Sequence, residues 1–78
     1  MTIAVLLFAS WADALGSRLS VELPEGASVA VLLRELQGRV ASRALPVPMV
    51  AINQRYAAHD QVIRAGDEVA IVPPVAGG

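Results

Sequence analysis

One segment of this 78-residue chain carries a helical stripe of useful length: Val29, Leu32, Leu33, Leu36 and Val40 recur at the spacing that gathers side chains on one helix face. Most of the remaining apolar sequence has the two-residue period of strands. Ile3 to Ala9 is apolar on both faces, with Ile3, Val5 and Leu7 pointing one way and Ala4, Leu6 and Phe8 the other. Arg18 to Leu23 alternates, Leu19, Val21 and Leu23 against Ser20 and Glu22, and forms a plausible hairpin with the first strand. A short turn or helical piece, Ser10 to Gly16, lies between them, with Ser10 as a possible N-cap. Met49 to Ile52 is a third strand that turns at Asn53-Gln54 toward Arg55 and Tyr56. Val69 to Val72 is the last, after a turn at Ala65-Gly66-Asp67-Glu68. Ser28 is the expected N-cap of the long helix, Gly38 a point where it could end, and Ala57 to Arg64 reads as irregular.

The element order is therefore β-β-α-β-(short β)-β, an α+β chain of four to five strands with one main helix. A single helix covers a single face of a sheet. The opposite face carries Leu6 and Phe8, and no segment is long enough to cover it, so a partner is expected there. Composition agrees. A domain this small buries only about 60% of its unfolded surface. Apolar residues make up 55% of the chain before glycine is counted, against a usual figure of roughly 45–50% with glycine included.

Several classes of function are poorly served by the residues present. There is no cysteine, which excludes a disulfide scaffold, thiolate metal sites and thiol catalysis and fits a reducing cytoplasm, the expected location. Six arginines, no lysine, a net charge of −1 and the lack of a basic run argue against nucleic-acid binding. The apolar N-terminus is too short to span a bilayer and lacks a basic leader, so no membrane partner is expected. His59 is the sole histidine and sits beside Asp60, a pair that could orient an imidazole. No nucleophile lies near it in sequence, and a surface-loop histidine is the expectation. Asp67 and Glu68 read as turn residues, Trp11 as core, and Arg34, Arg39 and Arg43 as a solvated helix face. Phosphate-loop, zinc and nucleophile-elbow motifs are missing. No bound cofactor or metal is expected, and the side chains do not make an enzyme.

The C-terminal segment is different. The apolar run Val69 to Val72 leads into Pro73-Pro74, then Val75-Ala76, then Gly77-Gly78. Prolines fix φ and favour an extended path, while glycines lack the Cβ that would obstruct a narrow cleft. A body of residues 1–74 with a tail of 75–78 is expected, and Pro74 to Gly78 in extended form reaches about 16–18 Å. Such a tail delivers its α-carboxylate into another protein's active site. A carboxylate is a poor electrophile until a partner converts it to an acyl-adenylate. An amine then yields an amide; a sulfur donor yields a thiocarboxylate.

The block Gly66-Asp67-Glu68-Val69-Ala70-Ile71-Val72-Pro73-Pro74-Val75-Ala76-Gly77-Gly78, with Val50-Ala51-Ile52-Asn53-Gln54, Phe8-Ala9 and Leu23-Pro24-Glu25-Gly26, resembles the small, sulfur-carrying subunit family of molybdopterin synthase from end to end. The resemblance implies a ubiquitin-like β-grasp with a mixed sheet covered on one face. It implies that a ubiquitin-activating-like adenylyltransferase consumes ATP to adenylate Gly78, and that a sulfur donor protein supplies the sulfur of a terminal thiocarboxylate. It further implies that Pro74, Val75, Ala76 and Gly77 insert into the large synthase subunit, where sulfur is transferred to cyclic pyranopterin monophosphate to build the molybdopterin dithiolene. The catalytic lysines would belong to that subunit, in a heterotetramer. The docking surface carried over by resemblance is Phe8, Tyr56 and Val72. Two positions depart from the family: Ala12-Asp13 stands where Arg-Glu is frequent, and Val72 where an aromatic is frequent. Sulfur carriers for thiamine or tRNA thiolation share the fold and the Gly-Gly, but the Gly-Asp-Glu-Val-Ala block with Pro-Pro-Val favours the molybdopterin family. A protein tag is the alternative of another class; the lack of lysine prevents side-chain-linked chains but permits single attachment to other proteins.

Overall fold

The computed structural model describes residues 1–40 and 45–74. Seven elements follow in order: β1 (Thr2–Leu7), α1 (Ala9–Leu15), β2 (Arg18–Glu22), α2 (Val29–Arg39), β3 (Met49–Ile52), β4 (Arg55–Tyr56) and β5 (Glu68–Val72). The strands form one sheet in the order β2-β1-β5-β3-β4. β5 pairs in parallel with β1, whereas β1–β2, β3–β5 and β3–β4 are antiparallel. This is the mixed sheet with one covering helix that the sequence leads one to expect.

The alternation in each strand decides which face is buried. Ile3, Val5 and Leu7 of β1, Val21 of β2, Val50 and Ile52 of β3, and Val69 and Ile71 of β5 all lie beneath α2. The helix meets them with Val29, Leu32, Leu33 and Leu36, and Val40 closes the cluster just past its end. The complete predicted stripe is buried. Gly38 lies within the last turn and does not end α2, which runs to Arg39, and Arg39 lies 3.4 Å from Glu35 one turn earlier. Arg34 is exposed as expected, while Arg43 falls outside the described residues.

Of the two capping expectations, the position of Ser28 holds and that of Ser10 is corrected. Ser28 occupies the N-cap position of α2, but its hydroxyl makes no capping bond. The irregular segment does that work: the Val29 and Ala30 amides donate to the carbonyls of Gln61 and His59 at 3.0 and 2.9 Å. Backbone acceptors thereby satisfy two of the orphan donors that a helix start leaves. The same segment sends Ile63 into the core, and its amide donates to the Ala27 carbonyl at 2.8 Å. In α1 the N-cap is Phe8 rather than Ser10. Phe8 keeps an extended backbone (φ −135°, ψ 158°), so β1's alternation continues through it, and Ala9, at φ +54°, turns the chain into the helix.

Trp11 anchors α1. Its side chain is 1% exposed, and its indole Nε1 donates to the Pro46 carbonyl at 3.0 Å. A buried indole needs such an acceptor. The bond ties α1 to the approach to β3, 35 residues away.

Candidate functional site

The sheet face opposite α2 holds the residues singled out for docking. Cross-strand register fixes the arrangement, because directly paired residues project to the same side. One row runs Arg18, Leu6, Ala70, Ala51, Tyr56 across all five strands. The next row, toward the C-terminal end of β5, contains Val72 opposite Met49. Phe8 joins it, one residue beyond the Leu7–Ile71 pair and with extended backbone.

These are mostly apolar side chains with incomplete cover. Phe8 is 46% exposed and Tyr56 63%, and Leu6, Met49, Ala51, Ala70 and Val72 are half-buried. Among the described residues no element packs over this face. The structure thus brings Phe8 and Val72 together at one end of β5. Tyr56 stands apart on the edge strand, two strands and about 10 Å from β5 at ordinary strand spacing. Sequence reading missed Met49, Ala51 and Ala70 as the floor between them. The signal was present in β3, whose alternation sets Met49 and Ala51 against the buried Val50 and Ile52.

β5 is the central strand, and the tail root continues from it. Pro73 and Pro74 are exposed immediately past Val72. Val75, Ala76, Gly77 and Gly78, the remaining tail positions, lie outside the described residues. The tail root therefore emerges between the end of β1, with Phe8 at its margin, and the start of β3.

At the opposite end of β5 a polar cluster holds the chain. Gly66 has φ +89°, a region that glycine enters freely, and completes the turn into β5. Asp67 accepts the Arg64 amide on Oδ2 at 2.9 Å and the Asn53 Nδ2 on Oδ1 at 3.0 Å. These bonds, the backbone one foremost, hold its carboxyl below the usual carboxylate range. Asp67 is the turn residue expected, whereas Glu68 is the first residue of β5. His59 and Asp60 are exposed in a turn. His59 serves the fold through its carbonyl, which accepts the Ala30 amide.

Among the described residues no group of three acidic or histidine side chains could hold a metal ion. No described helix is long and apolar enough to cross a membrane. What the geometry offers is an apolar platform around a tail root.

Comparison with known proteins gives this geometry its family. The profile of the ThiS family matches residues 5–78, covering the platform, Tyr56 and the tail alike. The chain belongs to the ThiS family. A molybdopterin synthase sulfur carrier subunit from Dictyostelium discoideum is 38% identical over 95% of this chain and 93% of its own length. One of the same description from Arabidopsis thaliana is 32% identical over 97% of this chain and 82% of its own. Among solved structures, small archaeal modifier protein 1 of Haloferax volcanii superposes with a TM-score of 0.79 at 27% identity, over 95% of this chain and 98% of that one. The fold of this ThiS-family chain is the ubiquitin-like β-grasp.

Proposed function

We propose that the chain is the sulfur carrier of a molybdopterin synthase, with the carboxylate of Gly78 as its working group. The observation that carries this reading is the near full-length similarity to the Dictyostelium sulfur carrier subunit. The uncovered apolar face around the tail root supports it, because a carrier must present its tail and its docking surface together.

The chemistry needs two partners before the acceptor. An adenylyltransferase of the ubiquitin-activating type joins the Gly78 carboxylate to the AMP moiety of ATP and releases pyrophosphate. The persulfide of a sulfur donor protein then displaces AMP, and a thiol reduces the resulting acyl disulfide, freeing the donor and leaving a thiocarboxylate. The charged tail, Pro74 to Gly78, enters the large synthase subunit, where the terminal sulfur attacks cyclic pyranopterin monophosphate. Hydrolysis returns the carboxylate for recharging, and two transfers complete the dithiolene. Catalytic side chains belong to the large subunit; this chain contributes reach, docking and sulfur.

Intact mass is the deciding measurement. After incubation with the adenylyltransferase, ATP and a sulfur donor, the protein should gain the mass of one oxygen-for-sulfur exchange, localised to Gly78. An unchanged mass, with an enzyme proven competent on a related carrier, overturns the proposal. The fold shared with an archaeal modifier protein motivates a second reading, attachment to other proteins through Gly78. High-mass conjugates that survive boiling and reductant would select it.

Docking is tested at Phe8. Phe8→Asp places a charge on the platform at a position whose backbone serves as the N-cap of α1. Aspartate is a favoured N-cap, so the monomer should be unharmed. Loss of a central aromatic anchor costs a docked interface at least about 2 kcal/mol, a drop in affinity of roughly thirtyfold. Titration of the large subunit should show that loss with an unchanged melting temperature; equal affinity removes Phe8 from the interface.

A further inference from the structure

We infer that Asn53 and Asp67 act as a positioning clamp that presents Tyr56 to the partner, an inference that rests on the docking reading above. β4 has only two residues, Arg55 and Tyr56, and it pairs with β3 alone. A two-residue edge strand has little hold of its own, yet it carries the most exposed large apolar side chain of the platform. Something beyond the ladder has to keep Tyr56 in register.

The turn before it is demanding. Asn53 and Gln54 have φ of +51° and +70°, the left-handed pair of a tight hairpin that asparagine tolerates better than most residues. Asn53 is then fixed from three sides. Its amide donates to the Glu68 carbonyl at 2.8 Å, its Oδ1 accepts the Glu68 amide at 2.9 Å, and its Nδ2 donates to Asp67 Oδ1 at 3.0 Å. Asp67 is itself fixed by the Arg64 amide. The hairpin is thereby locked to the first residue of β5, whose last residue opens into the tail root. Tyr56 and the tail root at Pro73-Pro74 are referenced to one strand, so a partner that grips the first finds the second in a constant place.

The test is a double-mutant cycle. Asn53→Gly keeps the left-handed freedom of the turn and the backbone bond to Glu68, and removes the two side-chain bonds. It should weaken binding to the large subunit about five- to tenfold in the wild-type background, within the range of coupling between neighbouring residues. With Tyr56→Ala already present, it should cause no further loss. In the free protein, hydrogen exchange at the Ala57 amide, which donates to the Val50 carbonyl at the far end of the hairpin, should quicken while global stability stays near wild type.

An Asn53→Gly effect of equal size in both backgrounds would assign the clamp to general stability and overturn the inference, as would no effect in either. Asp67→Ala attacks the same clamp from β5 and must give the same pattern if Asn53→Gly folds poorly. Full affinity in Tyr56→Ala itself would overturn the inference by removing Tyr56 from docking. The carrier reading would then still stand or fall separately on the mass gain at Gly78.

Discussion

Deleting Gly78 should lower sulfur transfer at least about 100-fold while leaving the folded body intact. The shortened tail carries its carboxylate about 3.5 Å short of its place. Reacting atoms must approach within about 3–3.5 Å, and misplacement by only 1 Å can cost roughly 100-fold. The body should not notice, since the last core residue among the described ones is Ile71 and Pro73 and Pro74 are already exposed. Two measurements separate these effects: intact mass after the charging reaction, and thermal unfolding by circular dichroism. A shortened protein that still gains sulfur and still supports molybdopterin formation would sink the mechanism. Gly78→Trp should fail equally, by girth rather than reach.

Trp11→Ala should produce the largest loss of stability in the molecule. Truncating a fully buried tryptophan typically costs about 3–5 kcal/mol. For a chain of this size total stability is of order 4–12 kcal/mol. The melting temperature should fall by more than about 12 °C. Trp11→Phe retains most of the buried area but loses the bond to the carbonyl of the exposed Pro46, so its cost should be about 1 kcal/mol. Because Phe8 is the N-cap of α1, docking should suffer along with stability in the alanine variant. A melting temperature within a few degrees of wild type would show that α1 is not anchored as described.

The sequence made the principal elements legible because each rests on local physics. The stripe from Val29 to Val40 needs only helical geometry, and the alternation in Ile3 to Phe8 needs only the strand period. The turn at Asn53-Gln54 was legible for the same reason, since asparagine marks left-handed backbone. What escaped depends on residues distant in the chain. Ser28 has the chemistry of an N-cap, yet carbonyls some thirty residues away reach the α2 amides first. Ser10 lost the α1 cap to Phe8 because the turn occurs at Ala9, where no sequence signal stands. Ile63 lies in a segment without period, so its burial could not be read. On the platform, Phe8, Tyr56 and Val72 were carried over together by resemblance; register sets Phe8 and Val72 at one end of β5 and Tyr56 on the edge strand. The hydrogen bonds that hold Tyr56 were not legible, because Asn53 and Asp67 meet only after β3 and β5 have paired. The positions from Val75 to Gly78 lie outside the described residues, and their role rests on similarity and chemistry.

The central position of β5 has a consequence for biosynthesis. This strand is made last, yet it is the shared neighbour of β1 and β3. Before it leaves the ribosome, the β1–β2 hairpin and the β3–β4 hairpin have no strand in common. Folding from the N-terminus, which lets many chains consolidate during synthesis, cannot join the two halves early here. The sheet closes when the last strand is inserted between its neighbours, and Pro73 to Gly78 follow that strand directly in sequence. A chain that stops before β5 therefore lacks both the completed sheet and the Gly77-Gly78 end.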